Sequence, residues 1–154
     1  MSNQPRAQTL RFQGAVNRVM RTLLRLPVLS RGPGRRLVLL EIVGRRSGKR
    51  LEIPVAYTRQ GDDLLVGTPF AWGRNLRTGD VIDLVLLGKK QQADVTAFTD
   101  RDGVIDAYAV MCRDNRAFAN FNKVRVTGGE PDAADLEAAW KSGARAFRLT
   151  PRHE

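Results

Sequence analysis

The residues best suited to chemistry stand in one short run, Gly44-Arg45-Arg46-Ser47-Gly48-Lys49-Arg50. Its last six positions hold four cations and a hydroxyl. Guanidinium forks and an ammonium crowded together recognise oxyanions. Paired glycines let backbone N–H groups converge on the same anion. The same composition also suits a hairpin tip whose charges are simply hydrated. The spacing is not that of a nucleoside-triphosphate loop: three residues separate Gly44 from Gly48, Arg50 follows Lys49, and a strand pattern comes next. Gly32-Pro33-Gly34 lacks the third glycine of a dinucleotide loop and precedes a strand instead of following one.

A second constellation is Phe70-Ala71-Trp72-Gly73-Arg74-Asn75-Leu76-Arg77. An aromatic ring followed by Arg74 and Asn75 can wall a flat ligand and bond its polar edge. Trp72 and Leu76 also lie at helical spacing and suit a core equally well. Tyr57, Tyr108, Phe118 and Phe121 offer either pocket walls or core. Cys112 reads as a small buried hydrophobe. It is the only cysteine, and the only histidine is His153, so neither a zinc cage nor a histidine-assisted nucleophile is credible. Asp62-Asp63 and Asp100/Asp102 flank turns and read as turn formers.

Charge is unevenly placed over the 154 residues. Residues 1–50 carry 12 basic groups and one acid, Glu41, whereas residues 51–154 carry 14 basic groups and 15 acids. The first third is thus a local attractor for polyanions, whether nucleic acid, anionic lipid or a small phosphorylated ligand. Few aromatics interleave with these cations, as base stacking would require, so nucleic acid is the weaker reading. Arg18, Arg21 and Arg25 interrupt any secretory core. With one thiol and no export signal the chain reads as cytoplasmic.

These groups need elements to position them. Phe12, Val16, Val19, Met20 and Leu23 predict an amphipathic helix over 8–26, with Arg11, Arg18, Arg21 and Arg25 mostly off its apolar stripe and Pro27 ending it. Such a helix either packs on the domain or leans on anionic membrane. After the break at 30–34 the period changes to two. Strands are expected over Leu37–Val43, Leu51–Thr58, Leu64–Gly67, Val81–Leu87, Gln92–Phe98 and Ala144–Thr150, with a hairpin about Gly88-Lys89-Lys90. Leu51, Ile53, Val55 and Tyr57 share one face of the second strand. Residues 68–78 read as irregular or briefly helical. Helices are expected near Asp102–Asn115 and from Asp132 or Asp135 through Trp140. The sum is an α+β domain over 35–154 after a basic segment over 1–34. Its core is a mostly antiparallel sheet of about six strands, closable into a barrel.

The run Leu39-Leu40-Glu41-Ile42-Val43-Gly44-Arg45-Arg46-Ser47-Gly48, then Ile53-Pro54-Val55, Asp62–Gly67 and Trp72-Gly73-Arg74-Asn75-Leu76-Arg77, resembles the deazaflavin-dependent nitroreductase-like proteins. These belong to the split β-barrel flavin and deazaflavin oxidoreductases related to pyridoxamine phosphate oxidase. The resemblance implies coenzyme F420, or FMN in the flavin branch, with the phosphate and tail at Arg45, Arg46, Ser47, Gly48 and Lys49. It implies a ring near Pro54, Val55 and Trp72, with Arg74 and Asn75 beside it and Phe118 and Phe121 lining the acceptor pocket. The acceptor would be a quinone, an enone or a nitroaromatic, and the assembly a homodimer. A cofactor-driven reaction also suits a chain without catalytic His or Cys. This sequence departs from the family pattern at Leu51, where an arginine is usual; Arg50 stands one place earlier, on the opposite strand face. Two readings outside that scheme are a non-enzymatic binder of anionic membrane or nucleic acid, and a binder of another flat anion such as haem, for which no sensible histidine ligand exists.

Overall fold

Alternation of buried and more accessible positions, clearest in the first strand, organises the sheet. A computed structural model describes residues 37–152. The helix expected over 8–26, the segment 1–34 and His153 lie outside the described residues. Strand β1 (Leu37–Val43) points Val38, Leu40 and Ile42 inward, all nearly inaccessible to water. It pairs antiparallel with β2 (Arg50–Ala56) on one side and β5 (Val81–Leu86) on the other. The sheet continues through β6 (Lys89–Phe98), β9 (Arg145–Pro151), β4 (Asp63–Thr68) and β3 (Thr58–Gln60). Every pairing is antiparallel.

Seven hydrogen-bonded strands stand where about six were expected, and Tyr57 explains the difference. It separates β2 from β3, which occupy opposite edges of the sheet. One bent stretch of chain therefore serves both edges and curls the sheet into a barrel, which limits open edges. Val38, Leu40, Ile53, Leu64, Val66, Leu84, Phe147 and Leu149 fill its interior. Burying each of the larger side chains contributes about 1.5–3 kcal/mol. As alternation predicts, Ile53 and Tyr57 belong to this interior, with Leu51 and Val55 packed against it.

A helical layer covers part of the outside. Helix α1 (Arg101–Asp114) is capped by Asp100, α2 (Arg116–Phe121) by Asn115 and α3 (Ala133–Lys141) by Asp132, each accepting backbone N–H groups of its first turn. Leu65 of β4 and Ala146 of β9 face outward and pack with Val104, Tyr108 and Met111 of α1. Gly67 makes this approach possible. A Cβ there would lie 2.6 Å from Tyr108 Cε1 and 3.0 Å from the Met111 methyl carbon. Thr58 Oγ1 donates to Asp114 Oδ2 at 2.8 Å, tying β3 to the end of α1.

Three local expectations are corrected. The β5–β6 turn is Leu87-Gly88, since Leu86 pairs with Lys89 and both turn residues have positive φ, 51° and 81°. That is the backbone of a two-residue hairpin whose twist matches its strands. Helix α2 was not expected; Asn115 accepts from Ala117 N–H at 3.0 Å and restarts a helix one residue after α1 ends. A small hairpin of β7 (Val126–Thr127) and β8 (Glu130–Pro131), turning at Gly128-Gly129, adds two short strands outside the expected set.

Candidate functional site

The β1–β2 tip is a closed loop. Gly44 N–H donates to Lys49 O at 2.9 Å, and Gly48 N–H donates to Gly44 O at 2.9 Å. Gly48 has φ of +68°, which favours glycine. Lys49 N–H donates to Ser47 Oγ at 3.2 Å. Arg45 N–H donates to Asn75 Oδ1 at 3.1 Å, and Asn75 Nδ2 donates to Trp72 O at 3.0 Å. Asn75 thus clamps the tip onto the 3-10 turn Ala71–Asn75. Four tip N–H groups are spent inside the protein. A backbone cradle of the expected extent therefore does not form, and anion recognition falls to side chains.

Those side chains divide into two sets. Arg45 Nη2 donates to Asp80 Oδ2 at 3.0 Å, and the same oxygen accepts Arg77 N–H at 2.8 Å, so Arg45 is a braced wall. Arg46, Lys49 and Arg50 are exposed and have no ion-pair partner among the described residues. Beside them opens a cavity of about 610 Å³. Val43, Arg45, Gly48 and Arg50 line its tip side, and Asn75, Leu76 and Asp80 line the connection to β5. Glu41, Val81, Asp83 and Gln92 form the sheet side.

The floor is acidic. Glu41 stands opposite Glu52 on β2 and opposite Asp83 on β5. Carboxylates directly opposed across strands repel. Lys90 Nζ lies 3.6 Å from Glu41 Oε2 and offsets part of that. The cavity is thus bipolar, cationic at the tip and anionic along the floor. Its lining has no Cys, His, Ser or Thr, so the lining binds and orients, and nucleophilic chemistry is not built into it. Among the described residues no group of three or more His, Cys, Asp or Glu is placed to hold a metal.

Of the expected site residues, Arg45, Gly48 and Asn75 come together around this cavity. Arg46, Ser47 and Lys49 sit on the tip beside it. Arg74 is exposed on the 3-10 turn. Trp72 is 7% exposed inside the barrel, stacked on Phe147 at 6.4 Å, and does not line the cavity. Val55 packs on the same interior, while Pro54 pairs with Leu39. Phe118 is buried against Tyr108 at 5.1 Å, and Phe121 is 51% exposed with its ring 5.9 Å from Phe70. Arg50, one of the four cations of the run but outside the set that the resemblance implies, lines the cavity. Strand alternation was the available signal, because Arg50 pairs with outward-facing Val43 while Leu51 turns inward. Asp80, 35 residues from the arginine it holds, carried no local signal.

No protein-family model matches the sequence, and no curated protein matches it. Solved structures do. The haem storage protein HutZ of Vibrio cholerae superposes with a TM-score of 0.52 at 14% identity, covering 78% of this chain and 84% of that one. A candidate 5-nitroimidazole antibiotic resistance protein of Bacteroides thetaiotaomicron gives 0.50 at 11% identity, covering 77% and 74%. A pyridoxamine 5'-phosphate oxidase-related, FMN-binding protein of Nostoc punctiforme gives 0.48 at 13% identity, covering 83% and 82%. What the first two share with this chain is the fold, a split β-barrel. Among the described residues, no helix is long and apolar enough to cross a membrane.

Proposed function

We propose that this protein binds a flat redox cofactor through its phosphate and serves reduction of a small electron-poor acceptor such as a quinone, an enone or a nitroaromatic. FMN is the first reading. The observation that carries it is the trio Arg46, Lys49 and Arg50, free of ion pairs among the described residues, at the mouth of a cavity of about 610 Å³. That volume falls within the range of ligand pockets. The residues fit the group: Arg50 and its neighbours would hold the phosphate, Val43, Leu76 and Val81 give apolar wall, and Gln92 offers an amide. Bound there, a flavin would supply two-electron chemistry that the lining itself lacks. The braced Arg45 and the Asn75 clamp hold the tip in one geometry, which lowers the ordering cost of binding.

The acidic floor favours a short anion. A single phosphate can stay at the tip, away from Glu41 and Asp83. The second reading, F420 with its longer anionic tail, draws on Arg46 and Lys49, which are exposed outside the cavity lining.

Adding FMN and F420 separately to the full chain, and following cofactor fluorescence, tests both. Quenching by one of them at micromolar protein is the expected result. Arg50→Glu weakens that binding about 10–100-fold, the size expected for loss of a charged hydrogen bond. Asn75→Ala, which loosens the tip without removing charge, weakens it less. Binding of neither cofactor, or an Arg50→Glu affinity equal to wild type, overturns the proposal.

A further inference from the structure

We infer that the β5–β6 hairpin tip, Leu87 with Lys89 and Lys90, is a contact for an anionic lipid surface. This inference stands apart from the cofactor reading, since none of the three residues lines the cavity. Leu86, just before the tip, pairs with Val38, whereas the cationic end of the cavity begins at Val43. Five residues of extended strand put about 17 Å between the two. The tip projects. Strand β6 starts at Lys89 but pairs with β9 only from Ala93, so Lys89–Gln91 run past β9 with β5 as their strand partner. At the apex stands Leu87, 61% exposed and more open to water than Val43, Val81 or Phe121. Its φ is +51°. A two-residue turn of this kind favours Asn, Asp or Gly there, and a leucine is unfavourable both to the backbone and to the surrounding water. The needs of the turn do not account for this residue, and contact with an apolar medium does.

The charge around the apex names the partner. Successive strand residues leave on opposite faces, so Lys89 and Lys90 flank Leu87 on its two sides, both exposed. Lys89 has no ion-pair partner among the described residues. Lys90, 3.6 Å from Glu41 Oε2, keeps 60% of its side chain open. No acid occurs between Asp83 and Asp94 in the sequence. Arg35 and Arg36 immediately precede Leu37, the first residue of β1, which lies beside the tip. One apolar point among cations suits a bilayer with anionic headgroups: the leucine enters the acyl boundary and the cations meet phosphates. It does not suit a stable protein interface, which takes about 800 Å² from each partner.

Co-sedimentation of the full chain with phosphatidylcholine vesicles containing about a quarter phosphatidylglycerol tests the contact at low ionic strength. Binding is expected, and Leu87→Asn is expected to weaken it about 5–20-fold, the size for one partly buried leucine. Asparagine tolerates the positive φ of this position, so the variant keeps or raises the thermal midpoint, which separates a lost contact from a lost fold. Lys89→Gln, which breaks no ion pair among the described residues, weakens binding about fivefold, the share of one cation near an anionic surface. No binding to these vesicles overturns the inference. Binding that Leu87→Asn leaves unchanged overturns it in favour of the arginines of residues 1–36 acting alone. Equal binding to vesicles of phosphatidylcholine only overturns it, because the cations would then have no part. A native mass doubled in the wild type and single in Leu87→Asn overturns it in favour of contact between two copies.

Discussion

The two outer faces of the barrel meet water in opposite ways. Over β4 and β9 the strands present Leu65, Gly67 and Ala146, small or apolar residues on which α1 lies. Over β1 and β5 they present Glu41, Asp83, Val43 and Val81, and the cavity opens there. Helix packing concentrates on the first face, and the open cavity lies on the second. The difference is made by side-chain size at single positions: a missing Cβ admits a helix, and a carboxylate in the same alternating place keeps the sheet polar.

The largest expected effect breaks the first face. Gly67→Val places a branched side chain where even a Cβ would be 2.6 Å from Tyr108 Cε1. Helix α1 must lift, at a cost of about 2–3 kcal/mol typical of overpacking. Val43→Ala, on the other face at 57% exposure, changes stability by less than about 0.5 kcal/mol. Paired denaturant titrations measure both. Equal costs would erase the division between the faces.

That division was partly legible in the sequence. Alternation assigned Leu51, Ile53, Val55 and Tyr57 to one face, and the barrel interior holds them or packs against them. The Gly44–Arg50 hairpin was equally plain, since glycines and charges bound two apolar runs. What alternation could not show was the bend at Tyr57, because period two continues through it and only the change of partner from β1 to β4 reveals it. Nor could it show Asn75 clamping Arg45, a contact spanning 30 residues. Trp72 was legible both as a ligand wall and as core, and its burial on Phe147 is a tertiary fact. Leu87 was hidden for another reason: a leucine rarely takes the positive φ that this turn imposes.

A smaller effect separates the helical layer from the barrel by pH. Arg101 Nε donates to Glu137 Oε1 at 3.0 Å, joining α1 to α3, and Arg125 Nε donates to Asp135 Oδ2 at 2.9 Å. The hydrogen bond from Arg101 holds the Glu137 carboxyl below its ordinary range, and that from Arg125 does the same for Asp135. Their folded pKa values lie below the unfolded ones. The stability they add is therefore present above the unfolded pKa and lost as pH falls through the folded one. The barrel strands carry one such pair among the described residues, Asp94 on β6 accepting from Arg152 Nη2 at 2.8 Å, against two in the layer. Trp140 on α3, whose indole N–H donates to Thr99 O at 3.2 Å, reports the layer, and Trp72 reports the barrel. On acidification below about pH 4, the Trp140 indole NMR signal is expected to change before that of Trp72. Simultaneous loss of both would show that the layer has no acid sensitivity of its own.

The smallest effect lies under α1 itself. Tyr108 is fully buried, and its hydroxyl has no hydrogen-bond partner among the described residues. Burial pushes its phenol well above the ordinary value, with Cys112 adding to the shift. A buried hydroxyl without a partner forfeits its hydration, worth about 1–3 kcal/mol. The ring, in contrast, is well used, edge-on to Phe118 and close over Gly67. Tyr108→Phe keeps the ring and removes the oxygen. It is therefore expected to leave stability unchanged or raise it by up to about 1 kcal/mol, against the usual direction of core substitutions. Loss of more than about 1 kcal/mol would mean that the hydroxyl is bonded in solution, through an ordered water for instance. The helical face would then carry a polar contact of its own, and the contrast between the two faces would be one of degree.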